Sequence, residues 1–367
     1  MNRMIVGNLV HRPIRSLISV VAVALEVTLI LLIVGLSIGL LNDSRSRTAG
    51  IGADVIVLPP GSSFIFGLTG APMPIKIGGV LAKLPHVRSV APVVTQVATA
   101  GTIEVISGID LSSYESMSGP FHYLSGGPFQ GPNDAIVDDL FAQSKHVKVG
   151  DSLDILNNTF RVCGIVEHGK GARKFLPIKT LQDLIGATDK ATTFYLKLDA
   201  PSNADAVVHE IKAVGGLERY KVESMADYIG MMTTSNYPGL STFIRVVVGI
   251  SVVIGFIVIF QAMYTAVMER TREIGILKAL GASKLYIVNV VLRETLLLAL
   301  GGIVLGILVS LVARIGLAHK FPLMRVIVSG DWVLRAALIA IAGALAGSIY
   351  PAFKAAQKDP IDALAYE

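Results

Sequence analysis

Residues 261–302 read QAMYTAVMERTREIGILKALGASKLYIVNVVLRETLLLALGG, and they decide how the rest of the chain is laid out. Apolar runs flank the charged part of this stretch, Phe243–Val267 before it and Leu296–Val312 after it, each with the character of a membrane helix. A segment that joins two such runs and carries Glu269, Arg270, Arg272, Glu273, Lys278 and Lys284 belongs at a membrane surface. A helix running through Leu280 stops at Gly281, which reaches φ > 0 at little cost, and Ser283 is placed to cap the helix that returns to the bilayer. The expected form is a helical hairpin with a charged elbow. Mixed charge alone describes a solvated face, and Glu269 and Glu273 have basic neighbours at helical spacing. The elbow also carries Ile274, Ile276, Leu277 and Leu280, an apolar side that a solvated loop does not need. That side reads as a docking surface, with Ile274 and Leu277 inserted into a groove and the flanking charges setting register. Gly275 allows close backbone approach, and Gly281-Ala282-Ser283 form the return turn.

Composition agrees with a membrane protein. Of 367 residues, 52% are hydrophobic and only 16% charged, too apolar for an ordinary soluble chain of this length. The net charge of +5 is not spread evenly: residues 42–242 hold 17 Lys and Arg against 19 Asp and Glu, so the basic excess lies beside the apolar runs. No basic stripe is interleaved with aromatics, and nucleic-acid binding is excluded. Cys163 is the single cysteine, which excludes an internal disulfide and any multi-cysteine metal or iron-sulfur site. Leu17–Leu41 follows Arg3, Arg12 and Arg15 like a signal sequence, yet it far exceeds the roughly 7–15 residues of a cleaved core and no A-x-A site follows it. It reads as a retained span.

The fold class that follows is an α-helical membrane protein with four transmembrane helices and a large α+β extracytoplasmic domain inserted between helices 1 and 2. In order, residues 1–16 form a cytoplasmic amphipathic lead-in, 17–41 helix 1, 42–242 the extracytoplasmic domain and 243–267 helix 2. Residues 268–295 are the elbow and the start of helix 3, 296–312 helix 3, 313–331 a short outer loop, 332–349 helix 4 and 350–367 a cytoplasmic tail. Within 42–242, β-rich runs at 54–58, 102–109, 151–156, 160–166 and 193–198 alternate with helix-like runs at 75–84, 138–144, 180–185 and 204–214. Gly35-x-x-x-Gly39, Gly302-x-x-x-Gly306 and Gly343-x-x-x-Gly347 point to a closely packed bundle. An even number of spans puts both termini on one side. Arg3, Arg12, Arg15, Arg270, Arg272, Lys278, Lys284, Arg293, Lys354 and Lys358, against Arg314, Lys320 and Arg325, make that side the cytoplasm.

Catalytic chemistry finds little support. Gly164-Ile-Val-Glu-His-Gly-Lys-Gly171 approaches a phosphate-binding loop but ends in Gly171, which offers magnesium no hydroxyl, so it reads as a glycine-rich turn between strands. His86, His122, His146, His168 and His209 are dispersed without metal or triad spacing, and no catalytic, metal or cofactor residue is assigned. Glu26 is the intramembrane signal. A carboxylate near the middle of helix 1 costs roughly 2.5–3.5 kcal/mol on insertion scales and turns toward a bundle interior or a cavity. Its readings are a substrate or haem contact, a proton-linked switch, or a protonated acid hydrogen-bonded to a neighbouring helix.

The run ERTREIGILKALGAS at 269–283, followed by a re-entering apolar helix, resembles the signature loop of the MacB/FtsX-type (type VII) ABC transporter permeases, which include lipoprotein-releasing, macrolide-export and haem-export permeases. Gly52-Ala53-Asp54 with VIVL is similar to the start of that family's exported domain, and Asn8 to Ser16 and Pro351 to Leu364 resemble its ends. The resemblance implies a permease without its own ATPase site in an inner-membrane efflux or extraction system. ATP and Mg2+ would be held by a separate cytoplasmic ABC ATPase docked on the elbow. It implies a homodimer, or a heterodimer with a paralogue, in contact with membrane lipids and open to a periplasmic adaptor. By the same resemblance, ATPase closure is relayed mechanically to the outer domain. The rivals are an FtsX-like scaffold that regulates cell-wall hydrolases and a membrane-anchored receptor or enzyme.

Overall fold

The computed structural model describes residues 13–62, 71–98, 104–236 and 238–358, so most of the lead-in and the tail beyond Lys358 lie outside the described residues. The elements run α1 (Pro13–Ala49), β1 (Val55–Leu58), β2 (Met73–Pro74), α2 (Lys76–Leu81), β3 (Val87–Ala98), β4 (Glu104–Ile109), α3 (Leu111–Ser118), β5 (Tyr123–Gly126), β6 (Asp134–Asp138) and α4 (Asp139–Lys145). They continue with β7 (Ser152–Ile155), β8 (Asn158–Val166), β9 (Lys174–Pro177), α5 (Ile178–Leu184), β10 (Lys190–Ala191), β11 (Thr193–Leu198), α6 (Ala204–Ala213), β12 (Lys221–Ser224) and α7 (Met225–Gly230). The last four are α8 (Pro238–Glu269), α9 (Thr271–Ala279), α10 (Lys284–Lys320) and α11 (Gly330–Gln357).

Among the described residues, α1, α8, α10 and α11 are long and apolar enough to cross a membrane. Each outruns the apolar run that marks it in the sequence, because backbone hydrogen bonding continues through polar residues past the point where hydropathy falls. No glycine or proline interrupts α1 between Leu41 and Gly50, and it continues to Ala49. Likewise α10 runs through Arg314 to Lys320 and stops ahead of Pro322, so the connection to α11 covers 321–329 and not 313–331.

Contacts divide the chain into two units. The first takes α1 up to Gly39, Pro238–His319 and the chain from Met324; the second takes Leu40–Tyr237 with Lys320–Leu323. The first unit is a helical bundle whose helices meet backbone to backbone. A Cβ on Gly302 would stand 2.5 Å from Val23 Cβ, and one on Gly306 2.7 Å from the Ala24 carbonyl oxygen, so α10 lies directly against α1. Thr28 Oγ1 donates to the Gly306 carbonyl across the same crossing (3.2 Å). Gly347 brings α11 against α8, where a Cβ would be 2.7 Å from the Phe256 carbonyl oxygen. The Gly35/Gly39 pair serves a different contact: it admits the connection after α10, and Ile327 N–H donates to the Gly35 carbonyl (3.0 Å).

The second unit is built on a mixed ten-stranded sheet in the order β12-β1-β11-β3-β4-β9-β6-β8-β5, with β7 on β8. Parallel pairs β4–β9 and β6–β8 sit among antiparallel ones. All four residues of β1, VIVL, are buried, as befits a strand covered on both faces. The sequence expectation omits β3, a twelve-residue strand, because Pro92 interrupts its pattern; Pro92 is nonetheless accommodated opposite Phe194. Residues of α1 from Leu40 onward belong to this unit and are fixed by charge. Asp43 accepts from Arg47 Nε (3.0 Å) and Arg173 Nη2 (2.8 Å), and Arg173 Nη1 reaches Asp138 (3.2 Å). Arg47 Nη1 also donates to the Gly171 carbonyl (2.8 Å).

Overpacking the α1–α10 crossing is expected to cost about 1–3 kcal/mol. Gly302→Val and Gly306→Leu should therefore lower the thermal midpoint of the detergent-solubilised chain. Gly316→Ala, at a helical position with nothing within 4 Å, should leave it unchanged.

Candidate functional site

The elbow is two helices and not one. After Glu269 the backbone breaks at Arg270 (φ −107, ψ 18), and the nine-residue α9 follows. It ends in a tight reversal: Gly281 has φ +94, its N–H donates to the Lys278 carbonyl (3.0 Å), and Ala282 N–H donates to Leu277 (3.0 Å). This is the glycine-closed helix end that the sequence suggests. Ser283 Oγ then accepts from Tyr286 N–H (3.2 Å) and caps α10.

The side chains sort into an inner and an outer set, and here the expected docking face changes. Ile274 is buried in the helical-bundle core with Leu277 packed beside it, and Gly275 is buried as well. The apolar side of the elbow faces its own bundle, because the chain break at Arg270 turns α9 so that Ile274 meets the core residues of α8 and α10. Arg270 is also internal. Its guanidinium donates from Nη1 to Glu294 Oε2 (3.0 Å) and from Nη2 to Oε1 (3.2 Å), with both residues buried. Lys278 turns inward too, donating to the carbonyls of Ala356 (3.0 Å) and Lys358 at the end of α11. Ala282 is half-buried. Left outside are Glu269, Arg272, Glu273, Ile276, Leu280, Gly281 and Ser283, with Leu280 80% exposed. Glu294 escaped the sequence reading, which weighed residues along the elbow and not across the hairpin. An acidic residue within an apolar run, like Glu26, was the available signal.

Glu26 itself is almost wholly buried within the bundle. Oε2 lies so near Gly255 of α8 that a Cβ there would stand 2.1 Å from it, and Oε1 lies 3.9 Å from the Cβ position of Gly343 in α11. Oε1 has no hydrogen-bond partner among the described residues. The glycines make the space that the carboxyl fills, which places Glu26 where three helices meet.

In the second unit the near-phosphate loop joins strand β8 to strand β9 with no helix after it, and so cannot cradle a phosphate in that manner. Lys170 Nζ is committed to the carbonyls of Ser118 (3.3 Å), Gly119 (2.8 Å) and Pro120 (3.2 Å). Three of the five histidines go to separate carboxylates, His86 to Asp199, His122 to Glu167 and His168 to Asp139. Burial, reinforced by nearby Asp134, pushes the Cys163 thiol up to about 11. A thiol of that kind is a poor nucleophile at neutral pH.

Known families match both units. Residues 16–214 match the MacB-like periplasmic core domain, and residues 245–360 match the FtsX-like permease C-terminal region. The macrolide export ATP-binding/permease protein MacB of Shewanella sp. (strain W3-18-1) is 27% identical over 97% of this chain and 59% of its own length. An uncharacterized ABC transporter permease of Methanocaldococcus jannaschii is 30% identical over 60% of this chain and 58% of its own. Among solved structures, the periplasmic region of MacB from Actinobacillus actinomycetemcomitans aligns with 50% of this chain and 94% of its own at 15% identity, TM-score 0.38. The chain thus spans 59% of the length of the Shewanella relative.

Two outcomes follow from this geometry. Gly255→Ala is expected to lower bundle stability by about 1–3 kcal/mol, because the methyl group and the Glu26 carboxyl claim one space. Glu26→Ala should remove most of that penalty in the double variant, as a thermal-unfolding cycle would read. Cys163 is expected to react with maleimide at pH 7 roughly tenfold or more slowly than an exposed, unperturbed cysteine.

Proposed function

The chain belongs to the family of ABC transporter permeases with a MacB-like periplasmic core domain and an FtsX-like permease region, and on that premise we propose that it is the membrane subunit of an ATP-driven efflux or extraction system. In this reading a separate cytoplasmic ABC ATPase holds ATP and Mg2+ and docks on the elbow, and the permease works as a dimer. Its cycle drives movements of the inserted domain, which lies outside the cell. The substrates that suit the family resemblance are hydrophobic small molecules, haem, lipoproteins and peptides.

The observation that carries this proposal is the outer face of α9. Arg272, Glu273 and Ile276 on α9, and Leu280 just after it, stand exposed between two spans, with apolar side chains flanked by both charges. An exposed isoleucine and leucine on a short charged helix are the anchors a groove in a partner would take. A receptor or enzyme anchored by four helices has no use for that face.

Charge supports the orientation. The elbow and tail side carries Arg270, Arg272, Lys278, Lys284, Arg293, Lys354 and Lys358 besides the basic lead-in. Arg245 and Arg335, near the starts of α8 and α11, join Arg314, Lys320 and Arg325 on the other side without overturning the bias.

Ile276→Asp, Leu280→Asp and Glu273→Arg are each expected to weaken ATPase co-purification roughly tenfold, the loss of one anchor of about 1–2 kcal/mol. Normal binding in all three would remove the elbow from the coupling path. Cysteine at Ser202 in a Cys163→Ala background is expected to react with an impermeant maleimide on spheroplasts, and cysteine at Gln357 only after permeabilisation. Reversed labelling would overturn the orientation.

A further inference from the structure

A docking helix delivers force only if its angle to the membrane helices is held, and α9 starts at a backbone break, the weakest point for that purpose. The residue at the break is Arg270. Its guanidinium meets the Glu294 carboxylate by two N–H···O contacts, 3.0 and 3.2 Å, across the hairpin. The far end of α9 is tied as well, by Lys278 to the last carbonyls of α11. A nine-residue helix is thereby fastened to α10 at its start and to α11 at its end.

We propose that the Arg270–Glu294 pair is a positioning clamp, fixing the angle between α9 and α10 so that the elbow moves as one piece with the helices it joins. This rests on the reading of the elbow as the ATPase contact. Three observations carry it. The pair is buried, so the break at Arg270 cannot bend without separating a guanidinium from a carboxylate away from water. Its fork geometry is directional, since two parallel hydrogen bonds fix orientation where a single contact would allow rotation. Finally, apolar residues of similar volume often replace a buried pair without loss of stability, so angular definition is a better account of this one than stability. Neither residue belongs to the exposed set on α9; they act through its placement.

The clamp is tested in the full chain in lipid nanodiscs, in a Cys163→Ala background. Nitroxide labels go on exposed Ala279, in α9 and outside the proposed docking set, and on exposed Val312, in α10. The informative variant is Arg270→Ala/Glu294→Ala, which removes both charges together and leaves no unpaired charge to prevent folding. Pulsed electron resonance is expected to give a narrow distance distribution with the pair intact and a broad one in the doubly neutral variant. Arg270→Lys, which keeps the charge but loses the fork, should fall between them. With the co-purified ATPase added, the doubly neutral chain is expected to retain binding and lose its effect on the ATP hydrolysis rate, a split that misfolding would not give. A distribution as narrow as wild type in the doubly neutral chain overturns the clamp, as does an unchanged effect on hydrolysis. If the unmodified chain shows a narrow distribution but binds no ATPase, the docking reading fails while the clamp stands.

Discussion

A guanidinium and a carboxylate removed from water must find each other, and in this chain the place where they do so is the break between a membrane helix and the elbow. Arg270 and Glu294 stand 24 positions apart in the sequence and close the hairpin by two hydrogen bonds. Removing either partner alone would leave a buried charge without its counter-charge, a penalty of about 3–5 kcal/mol in measured cases. The position of α9 follows from that constraint. With Arg270 turned inward, Ile274 and Gly275 turn inward beside it, and Arg272, Glu273 and Ile276 are left outside.

The rest of the helical bundle obeys a different rule. Apolar helices have little hydrophobic reason to associate in lipid, so contact depends on close approach. Glycines at 302, 306 and 347 supply it, and Gly255 opens the space filled by Glu26. The carboxyl of Glu26, with one oxygen lacking a hydrogen-bond partner among the described residues, is a polar exception in a core built mainly of valine, isoleucine, leucine and alanine. The inserted domain is held by helices on a mixed sheet and by ion pairs such as Arg173 with Asp43 and Asp138.

In the docking proposed for the elbow, the geometry changes which residues would make the contact. A face of Arg272, Glu273, Ile276 and Leu280 is smaller and more polar than one that includes Ile274 and Leu277. Binding there would depend on charge register as much as on apolar contact. The inner residues then become the means by which the outer ones are held.

Much of this was legible in the sequence for a simple physical reason: hydropathy, breakers and caps are local. Four apolar runs, the glycine stop at Gly281, the cap at Ser283 and strands such as Thr193–Leu198 are each written in a few adjacent residues. Helix ends past the apolar runs were less legible, because a helix persists through polar residues, and α8 ends at Arg270 without a glycine or proline. Side-chain direction on the elbow was not legible. Ile274 and Ile276 look alike in the sequence, yet one is in the core and the other is exposed, since the turn of α9 is set by the break at Arg270 and a partner on another helix. Glu294 likewise reads as one more charge near a membrane surface until the hairpin closes. Local chemistry specified the elements, and only the tertiary fold, through burial and the pairing of distant charges, decided which of their faces remained free.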